Sequence, residues 1–402
     1  LTMSDPKSSH AHALIRRGFD LGDTSSIKAD ATANSSELNG AWAKGEPIVL
    51  RGIARSSIST HQHHIARSAE LCERILTGES AEQVFDEPVY QARWSAQFEA
   101  LGTSVNPAEQ QEIETLFFDG LASDSSPNGL PDGLPDGLPD GLSDGEPIED
   151  LWLKVSWLSF YEGDKSLRFR FSFGVDHEED VAADPVRQHY AAELADALFP
   201  ESRIITHNQD LLAKIQEYAI SQSGEQRDTA TARFVERIIY FNAPQGGAYL
   251  HHDLERGHAG VVYVQVSGET CWLALPKNTL LTNIQKFIQQ CDHSGGWPVS
   301  FSHNFNKKER DQLTALSIDL SALDAAIESF NHSALIRLIN ETPEFVQALI
   351  ANGHGHILKS GDAILLPQQT SPATEVQNCC WHSVFCIGDV AGEGLSFAIR
   401  TD

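Results

Sequence analysis

Positive charge is scarce in this chain. Among 402 residues, 29 are Lys or Arg and 56 are Asp or Glu, a formal charge of −27 with histidine neutral. A protein that tracks nucleic-acid phosphates or an anionic membrane needs a basic stripe, so neither is expected as the main partner. Long apolar runs are missing too. None approaches the roughly 20 residues of a membrane span, and Leu1 to His10 lacks the charged-then-apolar order of a secretory signal. The six cysteines are too few for a disulfide scaffold, and Cys379 and Cys380, as neighbours, are poorly placed for a bridge. Reduced thiols in a cytoplasmic protein are expected. No Gly-x-Gly-x-x-Gly, P-loop or Gly-x-Ser-x-Gly motif occurs, so nucleotide-dependent and serine-hydrolase readings have no support.

With 41% hydrophobic and 21% charged residues, the composition is that of a globular protein with a sizeable core. Residues 1–40, rich in Ser, Ala, Asp and Asn, read as a loosely ordered arm, and 41–402 as one domain. Pro47 to Gly52 is the first strand-like run. Helices are expected at 64–77, at 80–101 with Ser80 as cap and Gln83 three residues on, and at 107–121. At 129–145 a Gly-Leu-Pro-Asp motif repeats every four residues. Pro-Asp-Gly is turn chemistry and a period of four fits no calcium loop, so this is read as a solvated insertion.

Beyond the repeat the apolar period shifts to two. Residues 152–161 and 166–174 alternate around Glu162-Gly163-Asp164, which predicts a hairpin. Helices at 185–198 and 208–222 follow, then a strand-rich block at 233–275 with its turn at Pro244-Gln245-Gly246-Gly247. A helical insertion spans 278–352, its best signal being Thr342 as N-cap, Pro343 at the first helical position and Gly353 past the end. Strands at 356–358, 363–366, 381–387 and 394–400 close the chain. Strands interrupted by helices, without βαβ alternation, predict a β-barrel or sandwich core with helices outside it.

The most informative stretch is Tyr249-Leu250-His251-His252-Asp253. On a strand, residues i and i+2 share a face, so His251 and Asp253 point together and His252 points away. His-x-Asp completed by a distant histidine is a 2-His-1-carboxylate facial triad, which leaves coordination positions open on the other side of an iron. His382 is the chosen third member, because Gly361 to Pro367 reads as a turn and buried strand and Trp381-His382-Ser383-Val384 opens the next one. Weaker candidates are a second metal site from His252, Glu255 and His258, and a His-rich tract at His61, His63 and His64. Both read more simply as surface histidines. Cys380 and Cys386 share the face of His382 and read as packing residues.

Taken in order, Pro47 to Gly52, His251-His252-Asp253, Gln265 to Pro276, Gly361 to Pro367 and Trp381 to Val384 resemble the landmarks of the JmjC and cupin-like 2-oxoglutarate oxygenases. The resemblance implies a double-stranded β-helix core, mainly β with flanking helices. It also implies Fe(II) bound by His251, Asp253 and His382, and 2-oxoglutarate decarboxylation coupled to hydroxylation of a substrate. One departure stands out: where many members carry a lysine for the distal carboxylate of 2-oxoglutarate, this chain has Thr270. Arg400 on the last strand is the expected replacement, with hydroxyl bonds from Thr270, Tyr263 and Ser396. The expected partners are dioxygen and a small molecule such as an amino acid or natural-product intermediate, with a protein side chain as the alternative substrate. The insertion 278–352 and the hairpin 152–174 are candidate lids, and the insertion is also a candidate dimer surface. A non-catalytic cupin-like binding or assembly module is the competing reading.

Overall fold

The computed structural model of the chain describes residues 13–16, 18–31, 38, 40–88, 95–99, 112–121, 145–159, 163–174, 184–220, 232–253, 258–293, 297, 304–368 and 379–400. The Gly-Leu-Pro-Asp repeat lies almost wholly outside them. The strands are β1 (Ala13–Arg16), β2 (Phe19–Asp23), β3 (Ile48–Leu50), β4 (Ser95–Glu99), β5 (Glu112–Leu121), β6 (Pro147–Trp157), β7 (Leu167–Phe173), β8 (Arg233–Asn242), β9 (Gly247–His251), β10 (Gly260–Gln265), β11 (Glu269–Pro276), β12 (Gly355–Lys359), β13 (Ala363–Pro367), β14 (Cys380–Cys386) and β15 (Gly392–Arg400). The helices are α1 (Arg55–Thr60), α2 (Gln62–Leu76), α3 (Ala81–Phe85), α4 (Pro185–Leu198), α5 (Arg203–Thr206), α6 (Gln209–Ile215), α7 (Lys277–His293), α8 (Lys307–Ile318), α9 (Leu320–Ser329), α10 (Ser333–Glu341) and α11 (Pro343–Ala351).

Two antiparallel sheets face each other. The larger runs β3-β13-β10-β15-β8-β7-β6-β5-β4 and the smaller β12-β11-β14-β9. Period-two side chains give each strand two jobs. On β10, Val261 and Tyr263 point between the sheets, where they meet Trp272, Leu358, Ile364 and Val384. Val262 and Val264 point outward, into a core shared with α2, α4 and α6. The outer face of the smaller sheet, with Leu273, Leu275 and Trp381, is buried by α7 to α11 through Leu280, Ile284, Leu335 and Phe345. The architecture is therefore mainly antiparallel β-sheet with helices on both outer faces.

Most of the expected elements form. The hairpin at 152–174 is β6 and β7, with Trp157 opposite Leu167, and the block from 233 to 275 supplies four strands. Thr342 stands at the N-cap position of α11 with Pro343 behind it, but its hydroxyl bonds the Arg337 carbonyl instead of capping. Within the first 40 residues, β1 and β2 pair as a hairpin that buries Leu14 and Leu21 beneath α11, so part of the expected loose arm is ordered. The helical insertion covers the sheet face opposite the inter-sheet space. Among the described residues, no helix is long and apolar enough to cross a membrane.

Two expected helices are not there. The helix starting at Ser80 has the anticipated capping box with Gln83 but ends at Phe85; Pro88, three residues on, lacks an N–H and biases its predecessor away from helix. Residues 95–99 are instead β4. The segment 107–121 is strand β5 from Glu112 onward, because pairing with the long β6 outweighs a glutamate-rich local preference. Glu114 in it caps α3, its carboxylate accepting from the N–H groups of Ala81 (2.9 Å) and Glu82 (3.0 Å).

Beneath the larger sheet, Glu201 and Glu393 lie side by side, 0% and 1% exposed, and Ser68 donates its hydroxyl to Glu201. Burial pushes both carboxyls up, and the neighbouring Glu201 carboxylate pushes Glu393 higher still. A carboxyl whose folded pKa exceeds its unfolded value holds a proton that unfolding releases. Its contribution is therefore full at acid pH and lost as pH rises towards the folded pKa. The melting temperature should fall between pH 5 and pH 8, and Glu393→Gln should flatten that fall and melt higher than the parent at pH 8. Calorimetry at the two pH values measures both.

Candidate metal centre

β9 leads into the site and its position is held from several sides. At its start, Gly247 approaches β14 so closely that a Cβ would lie 1.9 Å from the Val384 carbonyl oxygen. Only glycine fits there. Asp164, in the β6–β7 turn, accepts from the Gly247 N–H (3.1 Å) while also binding the hydroxyls of Ser159 (2.9 Å) and Ser166 (2.6 Å). On the open edge of β9, Asn340 of α10 accepts from the Leu250 N–H (2.7 Å), and Arg16 donates to the Gly247 carbonyl (2.7 Å) across the Tyr249 ring.

The β9–β14 ladder pairs Gly247 with Phe385 and Ala248 with Val384, then His251 with His382. Two residues of β9, Tyr249 and Leu250, thus oppose one of β14, Ser383. This bulge turns both Tyr249 and Leu250 outward while Ala248 and His251 face the cavity. Asp253 lies just past the strand end. The result brings one ligand atom from each of His251, Asp253 and His382 within 4.8 Å of one another, the only such group of His, Cys, Asp or Glu among the described residues. His251 Nε2 is 3.5 Å from one Asp253 oxygen and His382 Nε2 is 3.3 Å from the other.

These separations are near the ~3 Å edge of an octahedron with metal–ligand bonds of about 2.1 Å. His251 Nδ1 is 2.6 Å from the Tyr249 carbonyl oxygen, so it carries the proton and leaves the Nε2 lone pair facing Asp253. The Trp272 ring stacks on His382 at 5.5 Å. Burial and the adjacent His251 lower the His382 pKa, which favours the neutral, ligating imidazole. For Asp253, burial acts to raise the pKa, but His382 and His251 override it and hold the carboxyl well below its usual range. His251 is shifted up, because Asp253 outweighs the effect of burial. A carboxylate holding two imidazoles together in this way is a donor set for a divalent cation.

The cavity around the triad measures about 40 Å³ and is lined by Tyr240, Asn242, Tyr263, Trp272 and Ser396, among others. It has room for an ion and its water, not for a dicarboxylate. Behind it the polar groups satisfy one another. The Gln265 side-chain oxygen accepts from Thr270 (2.6 Å) and Tyr263 (3.0 Å), and Thr270 accepts from the Trp272 indole (2.9 Å). So Tyr263 and Ser396 reach the cavity, whereas Thr270 sits behind it in a neutral network. Arg400 does not line the cavity; it lies near the buried His258 at the end of β15.

His252 points away from the triad, to Glu328 (3.1 Å) and the Trp381 ring, as strand alternation predicts. Glu255 lies outside the described residues. The rings of His61, at the junction of α1 and α2, and of His63 and His64 in the first turn of α2 pack against one another at tilted angles, and among the described residues no carboxylate or thiol completes a metal site with them. Cys380 and Cys386 are buried free thiols. Sequence reasoning missed Asp164, Asn340 and Asn242, which act through the backbone or the cavity wall, and only the turn position of Asp164 offered a signal.

No protein-family model matches the sequence, and no curated protein matches it. Among solved structures, a 2OG-Fe(II) oxygenase family oxidoreductase from Burkholderia pseudomallei aligns with 62% of this chain and 72% of its own at 8% identity, TM-score 0.27. YcfD, a ribosomal oxygenase from Escherichia coli, aligns with 92% of this chain at 11% identity, TM-score 0.25; the alignment spans about half of that protein, 52%. Likeness at this level carries no argument about activity.

Asn340 tests how far the site depends on its supports. Asn340→Ala leaves the buried Leu250 N–H without an acceptor, which costs about 1–3 kcal/mol. Stability measured by urea unfolding should drop by that amount, and Co(II) affinity measured by absorbance titration should fall about tenfold or more as β9 loosens.

Proposed function

We propose that this chain is an Fe(II)- and 2-oxoglutarate-dependent oxygenase with a double-stranded β-helix core, and that it hydroxylates or desaturates a small molecule. The observation that carries this reading is the convergence of His251, Asp253 and His382, two imidazoles and one carboxylate, on the wall of one cavity. Asp253 retains 37% exposure of its side chain, so the group is reachable from solvent.

In this reading the three side chains hold the metal, and the metal supplies dioxygen chemistry when bound. Asp253 offsets part of its charge. The Tyr249 carbonyl keeps His251 in the ligating tautomer, and Trp272 fixes the plane of His382. Tyr240 and Tyr263 stay protonated because burial pushes both phenols up, so these cavity-lining rings add no charge, and the Tyr263 hydroxyl is donated to Gln265. A carboxylate at 253, where a small residue would leave room for halide, points to hydroxylation or desaturation over halogenation. A homodimer through the helical insertion belongs to the same proposal; Ile318 and Leu320, 77% and 46% exposed, give that surface apolar contacts to offer.

A second reading, a non-catalytic cupin-like module, draws on the neutral network at Thr270 and the small cavity. Anaerobic addition of Fe(II) and 2-oxoglutarate separates the two. The oxygenase should develop a weak visible charge-transfer band that Asp253→Ala abolishes, and in air it should form succinate. Absence of both band and succinate from the parent protein would rule out the 2-oxoglutarate-dependent oxygenase; Fe(II) uptake then separates a 2-oxoglutarate-independent iron oxygenase, which binds the metal, from the module.

A further inference from the structure

β7 carries apolar and basic residues in strict alternation. Leu167, Phe169, Phe171 and Phe173 enter the core below the larger sheet. Arg168 and Arg170 therefore stand on the cavity side, opposite Tyr240 and Ile238 of β8 and opposite Ser156 and Lys154 of β6. Tyr240 itself lines the cavity, as does Leu158, just past the end of β6.

The cations in this row are not equivalent. Arg170 pairs with Glu236 (2.5 Å) and lies over the Trp152 ring, and Lys154 sits 4.6 Å above the same ring. Arg168 has a different environment: its Nε donates to the Ser156 hydroxyl (3.1 Å), and among the described residues no carboxylate pairs with it. In a chain with nearly two acids per base, an arginine beside a cavity without an acid is unusual. With Nε occupied, its two terminal amino groups remain as an end-on fork, the shape that takes a carboxylate through two parallel bonds. A second observation falls beside it. Asn242 lines the cavity, is 1% exposed, and its Oδ1 is buried without a hydrogen-bond partner, an acceptor that takes a donor group of a ligand and not its carboxylate. The Gln265 network closes the cavity behind Tyr263 and Thr270, and on the larger sheet Tyr240 leads from the cavity wall to Arg168, its cross-strand partner.

The geometry points to Arg168 as the group that binds the carboxylate of an acid held at the triad. This assignment rests on the metal-site reading above. The carboxylate belongs either to the far end of a 2-oxo acid co-substrate or to an acidic substrate. The full chain loaded with Zn(II), which does not turn over, distinguishes these by calorimetry with 2-oxoglutarate, with 2-oxobutyrate, which lacks the distal carboxylate, and with succinate and glutamate added to the 2-oxoglutarate complex.

Arg168→Gln is expected to weaken at least one of these acids about ten- to a hundredfold while Zn(II) affinity and melting temperature stay unchanged, and Arg168→Lys to restore part of the loss. Weaker 2-oxoglutarate with unaltered 2-oxobutyrate assigns the co-substrate carboxylate. Unaltered 2-oxoglutarate with weaker succinate or glutamate assigns an acidic substrate. Arg168→Gln protein that binds every acid as the parent does, or Zn(II)-loaded parent that binds none of them, overturns the assignment. Parent protein that takes up no Zn(II) overturns the metal-site reading itself.

Discussion

The antiparallel pairing of β14 with β9 sets His382 opposite His251, and the site exists only while that register holds. Register in a sheet is normally fixed by which face is buried, since a slip of one residue turns every side chain over. Here the bulge complicates that rule: with two residues of β9 set against one of β14, a strand that buries Leu250 outward also turns His251 inward. Gly247 then acts as a stop. No other residue allows the Val384 carbonyl so close, so the bulge cannot move towards the start of the strand. Asp164 fixes the same point from the other sheet, through the Gly247 N–H. Three distant segments thus meet at one peptide group.

The charge distribution follows a different logic from the total. The excess of 27 negative charges repels polyanions at long range, and with a Debye length of about 8 Å under physiological salt that effect fades close to the surface. At the cavity wall the local residues decide. There Asp253 is the one carboxylate within the triad, while Arg168, Arg170 and Lys154 share a single sheet face on the adjacent strands. The expectation of an anionic chain says little about a ligand of a few ångströms. A small acid near β7 meets cations first.

How much of this was legible in the sequence varies with the range of the determining contact. The grouping of His251, Asp253 and His382 was anticipated from the His-x-Asp spacing and the apolar run of the later strand, although β9 ends at His251 and Asp253 joins the group from beyond the strand. The β6–β7 hairpin was readable because strand alternation is local. Residues 107–121 were not: Glu112 and Glu114 favour a helix locally, and only pairing with β6, some thirty residues on in the chain, makes them a strand. Glu114 then has a role no local pattern shows, as the cap of α3. The cavity's back wall was misjudged for a related reason. Thr270, read as a hydroxyl offered to a ligand, has its donor taken by Gln265, which sits at the other end of the tight turn between β10 and β11. Its satisfaction depends on the fold of that turn, and spacing alone did not reveal it.

The helical insertion has a role in this register that its sequence position conceals. β9 is the edge strand of the smaller sheet, and an edge strand with one side unpaired is the first to open. α10 covers that edge: Asn340 takes the Leu250 N–H, and Tyr249 donates its hydroxyl to Glu341. One residue further along, His252 is tied to Glu328 of α9, and Glu328 shares with Asp324 the almost fully buried Lys277 at the start of α7. Burial acts to lower the Lys277 pKa, yet the two carboxylates reverse it and keep the ammonium charged. The residue between the two β9-side ligands is therefore fastened to the insertion by its contact with Glu328, on the face of the sheet away from the cavity. An element packed on that face cannot close over the cavity as a lid while it holds these contacts. It works as a frame that keeps the outer faces of His252 and Leu250 occupied, and it leaves the cavity mouth to the β6–β7 side of the molecule.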